Sequence, residues 1–255
     1  MTEKIRILVL SSNPWSTGRI LVAEEAAEIS DRIQEGPYRD KFELHARGAV
    51  RQIDFQKLLL QYEPHIVHFS GHGSKSQRIL LNGPHGRAQA LDQQGLTNVF
   101  ALYNSHVRLV LLNACFTKMQ ARLISDVVDY SIGAARPIGD KVSVAFAGAF
   151  YRALGFGKSI RDAFKSARAE LALTKMPRSR GFELFVRDGI NEGDRFPQIN
   201  TDRHLRVRQS SKGNVEVTTI KTVQQTILVE VRNIGRRRVR SSDDNHAPSW
   251  WSCVG

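Results

Sequence analysis

Residues 65–73 read H-I-V-H-F-S-G-H-G: a short β-prone apolar stretch running into a histidine, His72, flanked by Gly71 and Gly73. Residues 107–115 read V-R-L-V-L-L-N-A-C, the most strongly apolar run of the chain, ending in Asn113-Ala114-Cys115. Each is the length of a buried strand and stops at a polar or small-residue turn. Between them, Ile79-Leu80-Leu81 and Arg87–Leu91 flank the turn Asn82-Gly83-Pro84-His85-Gly86, which predicts a hairpin, and a helix is expected through about residue 103. If the two strands are neighbours in a parallel sheet, their carboxyl ends bring an imidazole and a thiol to one edge, where open α/β sheets collect functional groups.

Outward from this pair, strands and helices alternate. Residues 4–10 (KIRILVL) form a buried strand ending at Ser11-Ser12-Asn13-Pro14. Val22, Ala26, Ile29 and Ile33 recur on one helix face, and Gly36-Pro37 stops that helix. Residues 42–47 (FELHAR) predict a strand, and Asp54 is expected to cap a helix reaching Tyr62. After Cys115 the pattern gives a helix near 117–127, a strand near 129–134, a turn at Pro137–Gly139 and a helix from about Asp140 to Gly155. A second helix opens with the capping-box form Ser159-Ile160-Arg161-Asp162, and Phe182–Val186 is the last strand. This order predicts an α/β fold, a three-layer αβα sandwich around a mostly parallel sheet. The domain is expected over 1–195, with 196–255 as a basic extension, β-hairpin or partly disordered.

Composition narrows the classes. Of 255 residues 41% are hydrophobic, which supports a real core. No apolar run reaches the roughly 18 residues of a membrane helix. The segment MTEKIRILVL lacks the features of a signal peptide, so a cytoplasmic location without membrane contact is expected. Net charge is +12, and residues 201–255 carry ten basic against five acidic side chains, including Arg236-Arg237-Arg238 and Arg240. Such a tail could bind nucleic acid, but no aromatic residues alternate with the basic ones, and a solvated run is the simpler reading. Trp250-Trp251 is read as a docking element for the tail or a partner contact. Cys115 and Cys253 make no disulfide framework, and Cys253 reads as an idle thiol.

The chemistry asks for these residue types. A free thiol near neutral pH is mostly protonated, yet the thiolate is the nucleophile, so Cys115 needs a base such as His72. Glycine at 71 and 73 lets the backbone approach a substrate. The N–H groups of Gly73 and Cys115 can face a tetrahedral oxyanion, where one donor is typically worth about 3 kcal/mol of barrier. His65 and His68 fall on opposite strand faces and read as packed or hydrogen-bonded. A zinc site of His68, His72 and Cys115 lacks paired-ligand spacing, so no metal or cofactor is expected. Gly157-Lys158-Ser159 resembles the end of a phosphate-binding loop, but Arg152 stands where that pattern needs glycine.

HIVHFSGHG followed by VRLVLLNAC resembles the CHAT family, caspase-like (clan CD) peptidases related to separase, caspases and clostripain. The similarity runs from residue 4 to about 190 and includes YRDKFELHARGAV at 38–50 and the stretch 127–164. It implies His72 as general base, Cys115 as nucleophile, and the Gly73 and Cys115 amides as oxyanion hole. It departs from the caspase signature at Asn113-Ala114-Cys115-Phe116-Thr117, where a bulky residue follows the cysteine. In the separase-like branch an acid beyond the catalytic strand receives a basic P1 side chain. Asp140 resembles that acid, with helix capping as its alternative, and Asp129 is a weaker candidate, for which a solvated strand-edge acid is the simpler reading. The resemblance implies a protein substrate and an activating protein partner or fused sensor in a bacterial signalling or defence role. The alternative class is a catalytically silent adaptor that keeps the fold and binds partners through its surface and basic tail.

Overall fold

The computed structural model describes residues 4–18, 20–176 and 181–190, and the backbone of four short strands beyond residue 200. The chain divides into two compact units, Met1–Ile199 and Asn200–Gly255.

In chain order the first unit contains β1 (Ile5–Ser12), α1 (Val22–Gln34), β2 (Phe42–Arg47), α2 (Gln52–Tyr62) and β3 (Ile66–Gly73). Then come β4 (Ile79–Asn82), β5 (Ala88–Ala90), α3 (Gln93–Leu102), β6 (Leu109–Asn113) and α4 (Lys118–Ile124). It closes with β7 (Tyr130–Ala134), α5 (Asp140–Gly155), α6 (Ile160–Leu173) and β8 (Phe182–Val186). The main sheet runs β2-β1-β3-β6-β7-β8. β8 pairs antiparallel with β7, and the other neighbours along this path are parallel. β4 and β5 form the expected antiparallel hairpin, hung from the end of β3 through the pairs His72↔Leu80 and Gly73↔Ile79.

The strict alternation of side chains along each strand divides the core in two. Ile7, Val9, Ile66, Leu109 and Leu111 pack under α1, α5 and α6. Leu8, Leu10, Val67, Phe69, Val110 and Leu112 pack under α2, α3 and α4. Continuous apolar strands are what a sheet covered on both faces requires, which is the αβα sandwich expected. Each fully buried Leu, Ile or Phe contributes about 1.5–3 kcal/mol, so the two faces of the sheet carry most of the hydrophobic stabilisation of the unit.

Two local expectations are corrected. Asp54 does not cap α2: the helix starts at Gln52 after Arg51, and the Asp54 carboxylate takes the Arg51 guanidinium at 2.7 and 3.0 Å. A carboxylate in the first turn still complements the helix dipole, so the sequence signal was correct in kind but three residues beyond the cap position, Arg51. α4 is shorter than expected and ends at Ile124, where Ser125 Oγ turns back onto the Arg122 carbonyl at 2.6 Å and the Asp126 and Val127 N–H groups close tighter turns onto Leu123 and Ile124. Ser159 does cap α6, accepting from the Asp162 N–H at 3.1 Å.

In the second unit, Arg208–Gln209 pairs antiparallel with Val215–Glu216, and Ile220–Lys221 with Thr226–Ile227. The rest of the β-branched stretch 213–233, the cluster Arg236–Arg240, Trp250-Trp251 and Cys253 lie outside the described residues. Among the described residues, no helix is long and apolar enough to cross a membrane.

Candidate active site

β3 and β6 are hydrogen-bonded neighbours in parallel register, with Ser70 opposite Asn113. Two residues beyond each partner stand His72, near the end of β3, and Cys115, in the turn that follows β6. Both line one cleft of about 140 Å³, together with Gly71, Ile20, Ile138 and Asp140. The backbones meet closely here. A Cβ built on Gly73 would lie 1.7 Å from the Cys115 carbonyl oxygen, so only glycine allows this approach. Phe116, just past the cysteine, has φ 57°, a left-handed conformation that costs a bulky residue roughly 1–3 kcal/mol and turns the chain sharply at the thiol.

The two reactive groups have fixed partners. His72 Nε2 donates to the Gly18 carbonyl at 2.7 Å, which leaves Nδ1 as the acceptor nitrogen of the neutral ring. The Ile138 N–H points at Cys115 Sγ at 3.3 Å, and the thiol can donate to the Ile138 carbonyl at 3.6 Å. Cys115 is a free cysteine.

Beneath the cleft lies a buried polar network. Glu25 of α1 is 3% exposed. Its Oε1 accepts from His68 Nε2 at 2.7 Å and from Asn113 Nδ2, and its Oε2 accepts from Ser70 Oγ at 2.5 Å. The Tyr151 hydroxyl donates to His68 Nδ1 at 3.2 Å. Burial, reinforced by the Glu25 charge, holds the Tyr151 phenol well above its ordinary range, so it stays a donor. Asn113 Oδ1 is buried beside the cleft with no partner among the described residues.

The candidate acids separate. Asp140 lines the cleft as the first residue of α5, while the cap position belongs to Gly139. Asp129 stands just before β7, at the opposite edge of the sheet, buried between Arg108 and Arg187. It is therefore an ion-pair centre and not a cleft residue. It is also not solvated, because two guanidinium groups make its burial tolerable. His68 uses both ring nitrogens in the network, and among the described residues no group of three or more His, Cys, Asp or Glu is placed to hold a metal. The backbone N–H of His65's strand neighbour Arg6 donates to His65 Nδ1 at 3.0 Å. Gly157-Lys158-Ser159 is the connector between α5 and α6.

The family model of the CHAT domain matches residues 12–254. The chain belongs to the CHAT domain family. A "Roc-COR-CHAT protease" from an unknown prokaryotic organism is 26% identical over 184 residues, 69% of this chain and 17% of that protein. A "Probable protease" of Gillisia limnaea is 22% identical over 158 residues, 60% of this chain and 28% of that one. The chain thus spans less than a third of either relative. Among solved structures, a secreted C11 cysteine protease from Bacteroides thetaiotaomicron superposes with TM-score 0.48 at 12% identity, covering 72% of this chain and 66% of that one. The Arg-specific proteinase gingipain R gives 0.49 at 9% identity, covering 71% and 46%.

Three features of this CHAT domain went unread in the sequence. Glu25 had a signal: it precedes Ile29 and Ile33 at helical spacing, so it shares their buried face. Gly18 and Ile138 act through backbone atoms, which side-chain patterns do not display.

Proposed function

We propose that this CHAT domain is a cysteine endopeptidase with Cys115 as nucleophile and His72 as base. The observation that carries the reading is the β3–β6 register, which sets both side chains in one cleft with Gly73 against the Cys115 backbone. In the proposed reaction the thiol proton passes to His72 Nδ1 and the thiolate attacks the scissile carbonyl. The Gly73 and Cys115 N–H groups receive the oxyanion, and the imidazolium then protonates the departing amine. Water releases the acyl group from sulfur. None of these steps calls for a metal or cofactor.

The same proposal includes cleavage after Arg or Lys. Among the described residues that line the cleft there is no Lys or Arg, and Asp140 and the orphan Asn113 Oδ1 are acceptors, with the Glu25 carboxylate below already bound to His68, Ser70 and Asn113. A guanidinium or ammonium group supplies the donors such a surface lacks. It further includes action in the cytoplasm, in a bacterial signalling or defence pathway switched on by a protein partner or fused sensor. The longer curated relatives, in which the matching region is a minor part, support this last point.

Labelling with an acyloxymethyl ketone bearing P1 arginine tests the reading. The expected result is modification of Cys115 that is slowed in His72→Ala. Indifference to His72, with Cys115 and Cys253 labelled alike, would instead mark an adaptor that keeps the fold without the chemistry.

A further inference from the structure

The segment between β1 and α1 links the tip of the β4–β5 hairpin to the imidazole of His72. At one end it is fastened to the tip of the β4–β5 hairpin. The Trp15 N–H donates to the Gly86 carbonyl at 3.2 Å, and Trp15 Nε1 donates to the His85 carbonyl at 2.6 Å. The Arg87 guanidinium sits over the indole, 5.9 Å from the ring centroid, and the Ala88 N–H donates to Ser16 Oγ at 2.9 Å. A Cβ on Gly86 would lie 2.6 Å from Trp15 Cδ1, so the tip is shaped to the indole. Next in the chain comes a closed turn, in which the Thr17 N–H and Oγ1 both donate to the Pro14 carbonyl, at 2.9 and 2.6 Å. The following residue, Gly18, presents its carbonyl to His72 Nε2.

Trp15 is 67% exposed, so core burial does not explain this fastening. What it fixes is the carbonyl that holds the imidazole. A neutral ring whose Nε2–H is bound keeps Nδ1 free as base and keeps its plane fixed. Misplacing a catalytic group by about 1 Å typically costs about a hundredfold in rate.

We propose that the hairpin tip 85–88, acting through Trp15 and the turn 14–17, positions His72. Trp15 is a positioning residue: its contacts are with the hairpin, and its effect reaches Cys115 only through the Gly18 carbonyl and the imidazole. The inference rests on the reading of His72 as the base of Cys115. It also makes the exposed indole the handle by which anything that engages the hairpin tip would tune the base.

The test measures the pH dependence of Cys115 alkylation by iodoacetamide in the full chain carrying Cys253→Ser, with peptide turnover alongside. Trp15→Ala is expected to slow alkylation roughly tenfold and displace the acidic limb of the profile, with kcat reduced and KM nearly unchanged. Trp15→Phe, which keeps an aromatic ring but loses the Nε1–H bond, should fall between. Gly86→Ala perturbs the same contact from the hairpin side and should act in the same direction. In a His72→Ala background Trp15→Ala should add nothing, since the two act in series. Alkylation at the wild-type rate in both Trp15→Ala and Gly86→Ala overturns the inference alone. So does an equal slowing with and without His72. A parent chain whose alkylation ignores His72 overturns the catalytic reading and the inference together.

Discussion

Gly73 and Cys115 meet backbone to backbone: a methyl group on Gly73 would stand 1.7 Å from the Cys115 carbonyl oxygen and 3.1 Å from its amide nitrogen. No side-chain rearrangement relieves such a clash, because both obstacles are main chain. Gly73→Ala therefore forces the ends of β3 and β6 apart. The expected cost is about 1–3 kcal/mol of stability, with Cys115 labelling and turnover falling together. Urea unfolding and thiol labelling check it, and a variant of wild-type stability and reactivity would show that the strand ends are not in contact.

Asp140 and Asp129 make opposite predictions. Asp140→Asn should lower kcat/KM for peptides with P1 arginine or lysine by roughly ten- to a hundredfold, the worth of a charge-assisted hydrogen bond, and leave uncharged P1 residues little affected. Asp129→Asn should leave the P1 preference alone and lower the unfolding midpoint, because Arg108 and Arg187 lose their shared partner. Profiling both variants on one peptide library decides the matter. A P1 preference that shifts in Asp129→Asn and not in Asp140→Asn would place the pocket elsewhere.

Glu25 is the hub beneath the cleft, and its loss is a stability event. Glu25→Ala leaves His68, Ser70 and Asn113 without their acceptor in a buried site, at a cost of roughly 3–5 kcal/mol. Glu25→Gln keeps one acceptor oxygen and should lose less. Chemical denaturation of both variants measures this, and a change of under about 1 kcal/mol for Glu25→Ala would mean the network is not closed.

His106, in the loop between α3 and β6, supplies a pH signature. Its Nε2 is buried with no partner among the described residues. Burial holds its pKa below the ordinary 6.5, with Arg6 acting in the same direction and Glu63 opposing. The unfolded chain therefore takes up this proton before the native one. The associated stability is intact above 6.5 and declines as pH falls from there toward the depressed native value. His106→Asn should lose less Tm than wild type between about pH 7.5 and about pH 5.5. Equal losses in a pair of thermal melts would remove His106 from the acid response.

The order of elements, the parallel sheet and the positions of His72 and Cys115 were legible in the sequence because they are local. Apolar runs of strand length, one helix face at 22–33, and polar or glycine stops at 70–73 and 113–115 are written in contiguous residues. The cap of α2 was misplaced because Arg51 and Asp54 satisfy each other, and no spacing rule shows which of them begins the helix. Asp129 and Asp140 looked alike as acids near β7. Only the strand direction separates them, since one precedes the strand and the other lies beyond its far end.

What the sequence by itself determined is which side chains stand at strand ends and which faces are apolar, because period and turn chemistry act over a few residues. Tertiary structure alone decided that Ser70 pairs with Asn113, that Glu25 closes a network with partners 43, 45 and 88 residues away, and that Gly18 holds His72. The physical reason is that buried polar groups take their partners from whatever register and packing bring within about 3 Å. That proximity belongs to the folded sheet and to no stretch of the chain.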